Sequence, residues 1–253
     1  MRTPKETYEK YISVSLNKCQ MKPAKTFLLA VFAGMFIALA GVASTFAGCY
    51  TNKVCGAVIF CGGLAMVLVA GSELFTGNCL LIMPLMDKKV KFSAAVKNWV
   101  IVYIGNFVGA IFVAALSVYS GALDAVSQSA FDISLNKTSL TFIEALLRGV
   151  LCNILVCIAA WMSFSSDKTG DKIIAVIFPV TFFVLCGFEH SVANMYFIPA
   201  GMMLNLKLSI SGQGATLFGF LVKNLLPVTI GNLIGGVLIG AGYRFAYSRK
   251  TDK

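Results

Sequence analysis

Gly187-Phe188-Glu189-His190-Ser191-Val192-Ala193-Asn194-Met195 contains the only histidine of the chain. It lies inside an apolar run from Ile173 to about Leu204. One membrane crossing takes roughly 20 residues, so a run this long must be broken, re-entrant or strongly tilted. The acid, imidazole and amide at its centre mark the place. Ionisable groups at that depth are costly and usually line a pathway. Val54 to Met86 is a second over-long run, with Glu73-Leu74-Phe75-Thr76-Gly77-Asn78 near its middle. Both interruptions read Glu, four residues, then Asn. The sequence therefore predicts a protein built around two facing breaks.

Composition sets the class. Of 253 residues, 58% are apolar and only 13% charged, with a mean hydropathy of +0.82. A soluble domain would carry about 25% charge. The chain reads as a single polytopic membrane domain over 1–253. The net charge of +10 then reports topology rather than nucleic-acid binding. Residues 1–26 are polar and basic, with Tyr8, Tyr11, Ile12, Leu16 and Cys19 spaced as on an amphipathic helix at the membrane surface. No cleavable leader is expected. Of the eight cysteines, five lie within apolar runs as packing residues. Cys49 and Cys55 flank a short loop, where a disulfide is the less favoured reading beside free thiols. There is no Cys/His spacing for a metal.

Six spans are expected. They are Phe27–Ala47, Val54–Met86 (broken near Glu73), about Trp99–Tyr119, about Leu140–Phe164, Ile173–Leu204 (broken near His190) and about Leu217–Tyr243. Residues 120–139 read as the longest polar loop, and 244–253 as a basic tail. Sixteen Lys and Arg fall on the side of the N-terminus and five on the other. That asymmetry places both termini in the cytoplasm.

The chain also repeats. Lys97-Asn98 and Gly105-Asn106-Phe107-Val108-Gly109 reappear 126 residues later as Lys223-Asn224 and Gly231-Asn232-Leu233-Ile234-Gly235, and the Glu-x4-Asn breaks recur 116 residues apart. The halves 27–119 and 140–243 each hold an odd number of spans, so they face opposite ways across the bilayer. Inverted repeats with a broken helix in each half suit channels and transporters. The glycines Gly105, Gly109, Gly231, Gly235 and Gly236 suit close helix crossings.

These motifs, together with Leu151-Cys152-Asn153-Ile154-Leu155-Val156-Cys157 and Trp161-Met162, resemble the formate/nitrite transporter family over nearly the whole chain. The resemblance implies an all-α, aquaporin-like protomer with broken helices 2 and 5, assembled as a homo-pentamer in the cytoplasmic membrane's lipid bilayer. Each protomer would pass small monovalent anions or their weak acids, formate or nitrite first, with hydrosulfide as the alternative. By resemblance His190, Thr76 and Asn153 form the central polar site, with Thr76 hydrogen-bonding His190. Phe60, Leu64 and Phe183 match an outer constriction, and Leu74, Phe75 and Val156 an inner one. Glu73, Glu189, Asn78 and Asn194 hold the breaks, and Lys137 draws anions toward the mouth. Read without the resemblance, Asn153 is equally an amide bonding between helices, and Lys137 a solvated loop lysine.

Other classes fit less well. Ser191 adjoins His190, but neighbours on a helix point about 100° apart, a poor catalytic dyad. No His-Glu-x-x-His or Gly-x-Ser-x-Gly is present, so neither an enzyme nor a cofactor is expected. A neutral-solute pore, the remote alternative, would show paired Asn-Pro-Ala breaks. An ammonium channel would show two histidines on the pathway.

Overall fold

The computed structural model describes residues 1–210 and 213–248, and among them every regular element is helical. The basic residues Arg249, Lys250 and Lys253, counted above toward the topology, lie outside the described residues. Eleven α-helices run in order: α1 (Pro4–Gln20), α2 (Pro23–Tyr50), α3 (Lys53–Ala70), α4 (Phe75–Asn78), α5 (Ile82–Met86), α6 (Phe92–Tyr119), α7 (Ser127–Thr138), α8 (Phe142–Ser163), α9 (Thr169–Leu185), α10 (Ser191–Leu208) and α11 (Leu226–Tyr247). A 3-10 turn joins α4 to α5, and a π-helical stretch, Gly219–Leu225, leads into α11. Among the described residues, five helical segments are long and apolar enough to cross a membrane: α2, α3, α6, α8 and Gly219–Tyr247.

α6 shows why such helices sit in lipid or against another copy. Val102, Gly105, Asn106, Gly109 and Val113 face inward and are buried. Val100, Ile104, Val108, Phe112 and Leu116, four residues apart, are all exposed. A helix apolar on both faces needs an apolar solvent or partner outside.

The two expected interruptions are real gaps in the helix ladder. α3 stops at Ala70, where Gly71 takes a left-handed φ of 73° as the cap. α9 stops at Leu185, and Gly187 takes φ 69° two residues on. Only glycine adopts that conformation without a Cβ penalty, and it is the usual helix stop. Extended residues follow, and the chain resumes helix at Phe75 and at Ser191.

Close crossings join each half. A Cβ on Gly109 would meet the Val31 carbonyl oxygen of α2 at 2.0 Å, and one on Gly235 would meet the Val150 carbonyl oxygen of α8 at 2.3 Å. α2 therefore lies on α6 as α8 lies on α11, backbone to backbone, which only small residues permit.

Two expectations about the polar segments are corrected. Residues 120–139 are not a loop. They form a 3-10 turn and α7, whose Ala130, Phe131 and Ser134 are buried. Ser134 Oγ donates to the Ile198 carbonyl of α10 at 3.0 Å. The stretch is too polar to read as a span, and its buried stripe is short. The amphipathic face of α1 does not lie against lipid either. Tyr8, Tyr11 and Ile12 are buried in the protein core, and the Tyr11 ring meets Phe164 edge-on with centroids 5.2 Å apart. The protein supplies the apolar surface that a bilayer was expected to supply. Cys49 and Cys55 are both free thiols.

Candidate functional site

Each break is held by the same set of bonds, built from residues of the same type. In the first, Asn106 of α6 reaches across the gap. Its Nδ2 donates to the carbonyls of Glu73 (2.9 Å) and Ala30 (2.7 Å), and its Oδ1 accepts from the Phe75 N–H (2.9 Å). In the second, Asn232 of α11 donates to the carbonyls of Glu189 (2.9 Å) and Gly149 (2.8 Å), and accepts from the Ser191 N–H (2.9 Å). Both asparagines are fully buried. They satisfy backbone groups that the interrupted ladder leaves bare, which an apolar interior requires.

The glutamates are paired alike. Glu73 takes Lys18 of α1 at 2.8 Å and accepts from Asn78 at 2.7 Å. Glu189 takes Lys137 of α7 at 2.9 Å and accepts from Asn194 at 2.6 Å. Asn78 goes on to Asn98 (2.9 Å), and Asn194 to Asn224 (2.7 Å). Two buried carboxylates are thus neutralised and hydrogen-bonded, as burial demands. Lys137 is not a free loop lysine. It sits on α7, committed to Glu189, with Nζ 5.6 Å from the centre of the Phe197 ring.

The breaks meet at His190 and Thr76. His190 caps α10, its Nδ1 accepting the Ala193 N–H at 3.0 Å. With Nδ1 an acceptor, the neutral ring carries its proton on Nε2. That nitrogen lies 2.9 Å from Thr76 Oγ1 in the first turn of α4. Both ring nitrogens are therefore taken, and neither serves Ser191. Asn153 of α8 braces the other side of the threonine, donating to the Thr76 carbonyl (3.2 Å) and to the Asn232 carbonyl (2.6 Å). The Phe183 ring stacks over the imidazole, centroids 5.9 Å apart.

A cavity of about 570 Å³ leads to this point. Its walls include Lys53, Asp132, Lys137, Arg148, Glu189 and His190, and Phe60 and Phe183 are at its floor. Those two rings meet edge-on, 6.0 Å apart at 86°. Beneath them is a void of only about 10 Å³, lined by Ile37, Phe60, Leu64, Leu74, Val156, Val180, Phe183 and His190. That is about the smallest space that holds one water, and the imidazole is its only polar wall. Leu74 and Val156 thus border the same void as Phe60, Leu64 and Phe183, rather than a separate one. Phe75 turns away to meet Tyr103 edge-on at 4.9 Å.

Lys18, Asn98, Asn106, Asn224 and Asn232 were not among the site residues expected from the sequence. A signal for the asparagines was present. Both pairs belong to the blocks that recur 126 residues apart, where the glycines drew the packing reading. Lys18 carried no signal of its own beyond the amphipathic pattern.

This paired-break geometry has known counterparts. The sequence profile described as formate/nitrite transporter matches residues 5–246. The chain belongs to the formate/nitrite transporter family. It is similar to the formate channel FocA of Haemophilus influenzae, 36% identical in a match that covers 96% of this chain and 94% of that one. FocA of Escherichia coli strain K12 is 37% identical, covering 93% and 90% of the two chains. Among solved structures, a pentameric formate channel with formate bound superposes with a TM-score of 0.79 at 34% identity, covering 90% of this chain and 98% of that one. An ion channel of the same family gives 0.86 at 27% identity, over 95% and 98%. Family membership makes this a multi-pass membrane protein of the channel and transporter class.

Proposed function

We propose that the protein is a homo-pentameric channel of the cytoplasmic membrane that passes formate or nitrite, with hydrosulfide as the alternative, with six crossings per protomer and both termini in the cytoplasm. The observation that carries this reading is the Thr76–His190 contact, where the two broken helices meet below an apolar slit at the floor of a charged vestibule. Repeats 27–119 and 140–243 supply one break each. The relatives named for formate support the substrate, and the sixteen-to-five Lys/Arg asymmetry supports the orientation.

The physics of the path is as follows. The vestibule collects anions. The N-termini of α4 and α10 both end at the centre, and their partial positive charge favours negative charge there. Phe60, Leu64, Phe183, Leu74 and Val156 make the void too small and too apolar for a hydrated ion. Moving a bare carboxylate into such surroundings costs tens of kcal/mol by idealised solvation, roughly, whereas the neutral acid costs a few. A weak acid that takes one proton at the slit therefore crosses, and water or His190 is the proton source. Glu73, Glu189, Asn78, Asn194 and Lys137 act as the fixed frame of the breaks, and Asn153 orients Thr76.

The test is a flux panel on purified protein in liposomes, with formate, nitrite, hydrosulfide and urea. Saturable formate and nitrite flux without urea flux is expected. Hydrosulfide alone would transfer the assignment to that anion, and urea flux would replace the reading with a neutral-solute pore.

A further inference from the structure

The two halves share the Glu, Asn and Lys frame of the breaks, and they differ in charge at one backbone position that touches it. The Glu73 N–H donates to the carbonyl of Leu29 at 3.2 Å, and the Glu189 N–H donates to the carbonyl of Arg148 at 3.2 Å. Leu29 and Arg148 therefore hold equivalent places on α2 and α8. One is apolar and the other a guanidinium, so of this pair of positions only the one on α8 carries a cation.

The partners of the vestibule charges sharpen this. Lys137 is bound to Glu189 and contributes little net field. Asp132 accepts from Gln128 at 2.8 Å. Lys53 is exposed at the rim. Arg148 lines the same cavity and is half-buried. Among the described residues its side chain makes no hydrogen bond and no ion pair. The nearest carboxylate along its own helix, Glu144, is already engaged in the capping box with Thr141. The Arg148 charge acts on the Glu144 carboxylate only through space, and a guanidinium on a cavity wall has the donor fork that suits a planar anion.

We propose that Arg148 is the anion-docking residue of the vestibule on the His190 side, and that it selects planar anions bearing two oxygens. This rests on the anion-channel reading above and adds a residue and a selectivity to it. A guanidinium meets two oxygens of one planar anion with two parallel N–H donors. A single-atom anion such as hydrosulfide or chloride satisfies only the charge. Lysine in its place would keep the charge and lose the fork.

The experiment is initial flux in proteoliposomes or planar bilayers, with the anion added on one side at a time, for wild type, Arg148→Gln and Arg148→Lys. The side chain makes no bond to the fold, so all three proteins should assemble alike, checked by native mass. For formate and nitrite supplied from the His190-side vestibule, Arg148→Gln should raise the half-saturating concentration about tenfold, the scale of losing hydrogen bonds to a charged group. Arg148→Lys keeps the charge and loses the fork, so formate and nitrite should stay impaired. From the opposite side neither variant should differ from wild type. An assembled Arg148→Gln protein within about twofold of wild type on the vestibule side would overturn the docking role. Full recovery of formate by Arg148→Lys would overturn the selectivity. If wild type itself carries no anion, the channel reading fails, and with it the docking role that rests on it.

Discussion

Replacing Asn232 by leucine tests the idea that one buried amide holds the second break open in its present form. The substitution keeps the branched heavy-atom outline and removes three hydrogen bonds, to Ser191, Glu189 and Gly149. The Gly149 carbonyl lies within α8 and keeps its helical partner. The Ser191 N–H and the Glu189 carbonyl lie in the gap and lose their only anchor to α11. Leaving two buried backbone groups unsatisfied costs about 1–3 kcal/mol each, or about 2–6 kcal/mol together. Interhelical bonds in membranes often measure lower, about 0.6 kcal/mol, because the unfolded chain finds other partners. The higher range applies here because these are backbone groups in a broken ladder whose bond to α11 is made by Asn232 alone. For a chain of this size about 1 kcal/mol shifts the midpoint by about 2–4 °C, so a fall of about 12 °C is expected. Thermal melting of the detergent-purified protein measures it, with formate flux read in parallel. Asn106→Leu should behave alike at the first break. A melting point within about 2 °C of wild type, with flux intact, would refute the reasoning for either site.

Further outcomes follow from other parts of the structure. His190→Asn should keep the cap on α10, since asparagine is a good N-cap, yet it removes the titratable ring. The pH dependence of flux should flatten while the pentamer persists; an assembled variant with the original profile would leave water as the proton source. Single introduced cysteines at Lys5 and Gln128 should label from opposite faces of the membrane, and labelling from the same face would sink the six-span topology. In the turn after α8, Arg2 bonds the Asp167 carboxylate and holds it below the usual carboxylate range, with Lys10 and Lys172 adding to the effect. Because the folded value is depressed, the pair contributes above about pH 4 and its contribution is lost as pH falls through the folded value. Amide exchange in residues 2–7 should be faster in Asp167→Asn than in wild type at pH 7, with the difference closing in acid. Equal exchange at neutral pH would show that the pair does not tether the N-terminus.

Much of this protein was legible in one dimension because a bilayer imposes simple rules. A chain with 58% apolar residues and two over-long runs can only be a bundle of spanning and broken helices. Glu73 and Glu189 stood out because charge in such runs is costly, and Gly71 and Gly187 end helices wherever they take positive φ. The motif around His190 led to the residues that the fold brings together, Thr76, His190 and Asn153. Tertiary structure alone decided who pays those groups' hydrogen bonds. Lys18 and Lys137 lie 55 and 52 residues from the glutamates they neutralise, and Asn106 and Asn232 lie 33 and 43 residues from the break carbonyls they bond. No local pattern encodes such a distance. The same holds for α1 and α7, which read as a surface helix and a loop. Each delivers one lysine to a break glutamate, Lys18 to Glu73 and Lys137 to Glu189. What lies against an amphipathic face, lipid or protein, is settled by the packing of the rest of the chain, because both offer the same apolar contact.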